Sequence, residues 1–135
     1  MMRPSVVTCI SDRHRIPARL LIVDDHPVVR MGLHFLLANR PALEICGEAI
    51  DGAEAVEKVL ELVPDLVILD LCMPSLNGFD AALEIKKVAP STKIILFSIH
   101  NIPSTAQIIG ADAFVQKGSP PEELILTIQR ILQLE

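Results

Sequence analysis

Short apolar runs and helix-spaced segments alternate along this chain. Leu20-Leu21-Ile22-Val23 is an unbroken apolar run that stops at Asp24-Asp25, the pattern of a strand buried on both faces. Pro27 then suits a first helical turn, and Val29, Leu33, Leu36 and Leu37 follow at helical spacing. Residues 43–49 alternate and predict a second strand. Asp51-Gly52 predicts a turn, and 53–63 a helix with Ala55, Val56, Val59, Leu60 and Val63 on its buried stripe. Pro64-Asp65 breaks that helix. Leu66-Val67-Ile68-Leu69, the most apolar run, predicts a third strand ending at Asp70. Asn77-Gly78 predicts a loop and 79–88 a helix, before a fourth strand over 93–97 that ends at Ser98. The segment 99–110 contains Pro103 and only a short helical stretch, 104–109. Residues 113–115 predict a brief fifth strand just before Lys117. Ser119-Pro120-Pro121-Glu122 has the form of a capping box with proline at the first helical position. Leu124, Ile125, Ile128, Ile131 and Leu132 give the last helix its buried stripe.

Five strands alternating with about five helices, the fourth shortened, define an α/β chain: a doubly wound, open parallel sheet covered on both faces. The 135 residues fit one domain with a real core, and half of them are hydrophobic, mostly Leu, Ile, Val and Ala. The net charge of −5 makes the domain a poor holder of nucleic acid, which needs clustered Lys and Arg. Four arginines against Asp12 make the first 19 residues locally basic, and 1–18 is expected to be a flexible extension before a domain over 19–135. That leader does not read as a signal peptide. Cys9, Cys46 and Cys72 are odd in number and lack CxxC spacing, which argues against a disulfide framework or a zinc site and for a reducing, cytoplasmic setting. The apolar runs are too short to span a bilayer.

Ligands bind such a sheet outside the carboxyl ends of its strands. Strand one ends in Asp24-Asp25, strand three in Asp70, strand four in Ser98, and strand five just before Lys117. Singly, each has an ordinary reading: an Asp after a strand caps a turn or helix, and a Lys is a solvated charge. Jointly they bring three carboxylates, a hydroxyl and an ammonium to one rim. Clustered carboxylates raise a pKa or demand a cation, and Mg²⁺ suits few carboxylates plus phosphate oxygens. Asp70 can then serve as ligand and as nucleophile, forming an aspartyl phosphate. Lys117 and the cation would neutralise the transferred group, with Ser98 as a hydrogen-bond donor.

The segments 21–27 (Leu-Ile-Val-Asp-Asp-His-Pro), 64–74 with Gly78, 94–98 (Ile-Ile-Leu-Phe-Ser) and 110–117 resemble the receiver domain of two-component response regulators. The resemblance covers about 19–134. Val-Asp-Asp-His-Pro and the Gly-Glu-Ala-x-Asp-Gly segment at 47–52 resemble the NarL-type subfamily, whose members usually carry a C-terminal DNA-binding domain. The resemblance implies a flavodoxin-like sheet of strand order 2-1-3-4-5. It makes Asp70 the phosphoacceptor fed by a histidine kinase. Asp24, Asp25, Asp70 and the backbone carbonyl of Cys72 become the Mg²⁺ ligands. Ser98 and Phe114 become the switch pair, Lys117 the phosphoryl partner, and Pro74 and Gly78 the shapers of the loop after Asp70. It also implies a signalling domain that catalyses its own phosphorylation and dephosphorylation rather than an enzyme with a turned-over substrate. Homodimerisation is the family's common consequence.

Two other readings compete. A Mg²⁺-dependent phosphatase of the haloacid-dehalogenase type needs Asp-x-Asp on its first strand and a cap domain, whereas this chain has adjacent Asp24-Asp25. A phosphorylation-independent pseudo-receiver is disfavoured by the intact acidic pair, Asp70, Ser98 and Lys117, but kept open by the spacing between Ser98 and Lys117, which is about three residues shorter than usual in the family. Cys72 and His100, each two positions beyond a rim residue, occupy the places that tune loss of the phosphoryl group. Neither is the Asn/Glu-type residue that orients an attacking water, so a long-lived phosphoryl group is expected, unless His100 acts as a base. Dephosphorylation of the wild type should therefore proceed at a rate similar to that of His100→Ala. A wild type that decays much faster than the variant would overturn this expectation.

Overall fold

The computed structural model describes residues 17–73, 77–99 and 110–134. Five strands form one parallel sheet: β1 (Ala18–Val23), β2 (Leu43–Ala49), β3 (Leu66–Leu69), β4 (Lys93–Ser98) and β5 (Ala113–Gln116), in the order β2-β1-β3-β4-β5. The expected sheet and strand order are thus present. Among the described residues four helices flank it: α1 (Pro27–Leu37), α2 (Gly52–Leu62), α3 (Gly78–Val88) and α4 (Pro121–Leu132). The short helix expected over 104–109 lies outside the described residues, as do Pro74, His100 and most of the leader. β1 begins at Ala18, inside the expected extension. Arg19, counted with the basic leader, is part of the folded sheet: its amide donates to Asp65 Oδ2 at 2.8 Å and its guanidinium to the Leu62 carbonyl.

Period-two alternation in the central strands builds two cores. Leu21, Val23, Val67, Leu69, Ile94 and Leu96 face α2 and α3, against Ala55, Val59, Ala81, Ala82 and Ile85. Leu20, Ile22, Leu66, Ile68, Ile95 and Val115 face α1 and α4, against Leu33, Leu37, Leu124, Ile125 and Ile128. β2 departs from simple alternation. Leu20 pairs with Ile45 but Leu21 with Gly47, so Cys46 is an extra residue in the ladder. Such a bulge reverses the faces of everything after it. Leu43 therefore packs on the α1 side and Ala49 on the α2 side, despite their even separation.

Three sequence expectations need correction. Ser119 does not cap α4: the N-cap is Pro120, with no side-chain cap, because a residue preceding a proline (here Pro121) is driven to extended backbone. Reciprocal capping occurs instead at α2, where Asp51 accepts from the Glu54 amide and the Glu54 carboxylate from the Ile50 amide, both at 2.8 Å. Leu60 and Val63 are exposed rather than buried; Val63 is a left-handed C-cap, and Leu62 packs on the core in their place. The expected Asn77-Gly78 loop is the start of α3, with Asn77 accepting from the Asp80 amide at 3.0 Å.

Gly78 has the tightest backbone contact. A Cβ there would lie 2.3 Å from the Asp70 carbonyl oxygen and 2.5 Å from Leu71 Cα, both main-chain atoms that cannot swing aside. The Gly78 amide donates to the Leu71 carbonyl at 3.0 Å. Gly78→Ala is expected to destabilise the fold by about 1–3 kcal/mol in urea unfolding, the usual range for overpacking. An unchanged midpoint would show that the contact yields freely.

Candidate functional site

Backbone bonds one residue past the strand ends set the rim. The Asp24 amide continues the ladder to the Ala49 carbonyl at 3.0 Å, the Asp70 amide to Val23 at 2.9 Å, and the Lys117 amide to Ser98 at 2.7 Å. Asp24, Asp70 and Lys117 keep the parity of Ile22, Ile68 and Val115, so all three side chains emerge on the α1/α4 side. There Lys117 Nζ lies 2.7 Å from Asp24 Oδ2 and 3.4 Å from Asp70 Oδ1. Its charge also sits 5.8 Å from the centroid of the Phe97 ring.

The rest of the site gathers round these groups. Asp24 and Asp70 are only 2 % and 3 % exposed. His26 donates its amide to Asp24 Oδ1 at 2.9 Å, and its Nδ1 lies 3.0 Å from the same atom and 3.2 Å from Asp25 Oδ1. A cleft of about 230 Å³ opens over the rim, lined by His26, Val29, Asp70, Cys72, Ser98, Ile99 and Lys117. Ser98 is buried at the end of β4. Cys72 is exposed, and its amide lies 3.4 Å from Asp70 Oδ1. Phe114 is on β5, paired with Leu96, and 37 % exposed.

Aspartates elsewhere in the fold show what a structural carboxylate looks like. Asp112 Oδ2 accepts from the Ile94 amide at 2.8 Å and from Lys86 at 3.1 Å, and Asp51 caps α2. At the rim, by contrast, Asp24 Oδ2, Asp25 Oδ1 and Asp70 Oδ2 are buried atoms without a hydrogen-bond partner. Two of them have only an ion-pair neighbour, Lys117 and His26 respectively. A buried carboxylate oxygen with no partner among the described residues, such as Asp70 Oδ2, is costly unless a cation meets it. One ligand atom each from Asp24, Asp25, His26 and Asp70 falls within 4.8 Å of the others. The oxygen-rich donor set fits a hard divalent cation.

The sequence reading anticipated the three aspartates, Ser98 and Lys117, and the structure brings all five to one rim. It missed His26, whose only signal was its place after Asp25. It also missed Arg30, which donates through Nη1 to the Asp24 carbonyl at 2.7 Å and through Nε to Glu48 Oε1 at 2.8 Å.

With this geometry in view, the comparisons with known proteins are specific. The family model for the response regulator receiver domain matches residues 20–129. The nitrate/nitrite response regulator NarL of Escherichia coli is 35% identical over 117 residues, covering 84% of this chain and 54% of NarL. The chemotaxis protein CheY of Thermotoga maritima is 39% identical over 118 residues, covering 84% of this chain and 96% of CheY. A crystal structure of a LuxR-family two-component response regulator from Aurantimonas superposes with a TM-score of 0.81 at 36% identity, covering 87% of this chain and 86% of that one. The chain belongs to the response regulator receiver domain family. It spans about half the length of several curated relatives, NarL among them. No described helix is long and apolar enough to cross a membrane.

Burial pushes the Asp70 carboxyl above its ordinary pKa, and the neighbouring Asp24 charge adds to this, against the opposing pull of Lys117. A carboxyl whose folded pKa is raised stabilises the fold below its unfolded pKa, and that contribution is lost as pH rises through the folded value. Ionised Asp70 thus opposes folding when no cation is bound. In chelator, Asp70→Asn should melt at a higher temperature than wild type at about pH 7, with the gap closing toward about pH 4. A variant less stable than wild type at neutral pH would contradict this.

Proposed function

We propose that Asp70 is the phosphoacceptor of a two-component signalling switch, charged by a histidine kinase in a Mg²⁺-dependent reaction. The observation that carries this reading is a buried Asp70 Oδ2 without a hydrogen-bond partner, beside an Oδ1 engaged by Lys117. One oxygen is held and the other is free to attack. Asp24, Asp25, Asp70 and the Cys72 carbonyl would hold the ion, which supplies charge neutralisation for the carboxylates and the phosphoryl oxygens. Asp70 forms an O–P bond as the P–N bond to the donor imidazole breaks. The electron pair stays on the imidazole nitrogen, which takes a proton from solvent. Lys117 then shifts its charge from the carboxylates to the phosphoryl oxygens.

The phosphoryl group favours a state with Ser98 drawn in and Phe114 buried, and that differential binding drives the switch. The exposure of Phe114 fits the unphosphorylated state. Exposed Phe35 on α1 lines an apolar groove of about 350 Å³ that shares Val29 and Lys117 with the rim cleft. That face supports docking of the kinase within reach of Asp70. The likeness to NarL-type relatives supports transcriptional regulation as the output and homodimerisation as its route, with the chain acting in the cytoplasm. The net charge of −5 argues against direct nucleic-acid contact by this domain.

Intact-mass analysis after treatment with acetyl phosphate should show one phosphoryl adduct that needs Mg²⁺ and is absent from Asp70→Asn. No adduct on wild type, or one that persists in the variant, overturns the reading.

A further inference from the structure

The turn carrying Asp24, Asp25 and His26 is held by a clamp that lies outside the acidic cluster. The first turn of α1 uses the His26 carbonyl, which accepts from the Val29 and Arg30 amides. The carbonyl of Asp24 is met by a side chain instead, Arg30 Nη1 at 2.7 Å. The same guanidinium gives its Nε to Glu48 Oε1 at 2.8 Å. A guanidinium is a rigid planar fork, so two bonds on different edges fix its orientation as well as its position.

Glu48 is itself anchored. Its second carboxylate oxygen meets His34 of α1, and Lys58 of α2 donates to its carbonyl at 2.8 Å. Partial burial pushes the Glu48 carboxyl up, but hydrogen bonds from His34 and Arg30 outweigh it and hold the group below its ordinary range. Glu48 reaches this place because of the bulge at Cys46. Were Cys46 paired with Leu21 in a regular ladder instead of skipped, the Glu48 side chain would point toward α2, away from Arg30.

We propose that Arg30 and Glu48 are positioning residues for the acidic site, fixing the Asp24 main chain so that the carboxylates of Asp24 and Asp25 converge with that of Asp70 on a divalent cation. This rests on the reading of the rim as a Mg²⁺ site. Losing a group that orients metal ligands typically costs about 10–100-fold in metal affinity or activity. A bystander surface ion pair would leave affinity alone.

The test is Mg²⁺ titration by calorimetry on the full chain at fixed ionic strength, with phosphorylation by acetyl phosphate at saturating Mg²⁺ as a second readout. Arg30→Ala should weaken Mg²⁺ binding about tenfold or more, and saturating Mg²⁺ should recover most of the phosphorylation rate. Arg30→Lys keeps the charge but loses the fork and should be weakened similarly. Glu48→Gln keeps an acceptor for Arg30 Nε and should stay nearer wild type than Glu48→Ala. Melting curves establish that each variant is folded, and Arg30→Lys carries the test if Arg30→Ala is not. Wild-type affinity in Arg30→Ala overturns the proposal, and full affinity in Arg30→Lys reduces it to long-range charge and overturns the clamp. If wild type itself neither binds Mg²⁺ nor accepts a phosphoryl group, the site reading fails first.

Discussion

Carboxylates crowded at the end of a buried sheet repel one another, and much of this structure is arranged around that fact. Asp24 and Asp70 are nearly sealed from water, on adjacent strands, with one ammonium between them. Lys117 cannot neutralise both and Asp25 as well. Asp70 Oδ2 has no partner among the described residues, and Asp24 Oδ2 and Asp25 Oδ1 have only the ion pairs to Lys117 and His26, while Asp112 and Asp51 accept from backbone amides. The excess negative charge is a local feature built by strand order. It would vanish if β1 and β3 were not neighbours.

The sheet can bear this strain because its middle is so apolar. β1, β3 and β4 contribute eleven apolar side chains with essentially no exposure, split between two faces. Each fully buried aliphatic side chain contributes roughly 1.5–3 kcal/mol. At the carboxyl edge of that block parity decides which charged side chains meet.

Parity is also why part of the site was legible in the sequence and part was not. Apolar runs ending in Asp24, Asp70 and Ser98, and the short run before Lys117, place those residues at strand ends without further information. The two-sided burial of 66–69 follows from its composition in the same way. The link between Arg30 and Glu48 could not be read, because it depends on one extra residue in β2. Alternation across 43–49 looks regular in the sequence, and only pairing with β1 reveals that Cys46 is skipped. The α4 cap failed for a different reason. Ser119 and Glu122 had the right spacing, but Pro121 dictates the backbone of the residue before it. Local chemistry there was overruled by a steric rule two positions away.

The glycine that opens α3 gives the rim a mechanical asymmetry. The Asp70 main chain is tied through its amide to β1 and presses through its carbonyl on Gly78, with no room for even a methyl group between them. Strand and helix therefore behave at this point as one body without slack. The Asp70 main chain thus has no room to move toward α3, whereas its side chain opens on the rim cleft, so the stiff and the accessible sides of this residue are opposite ones.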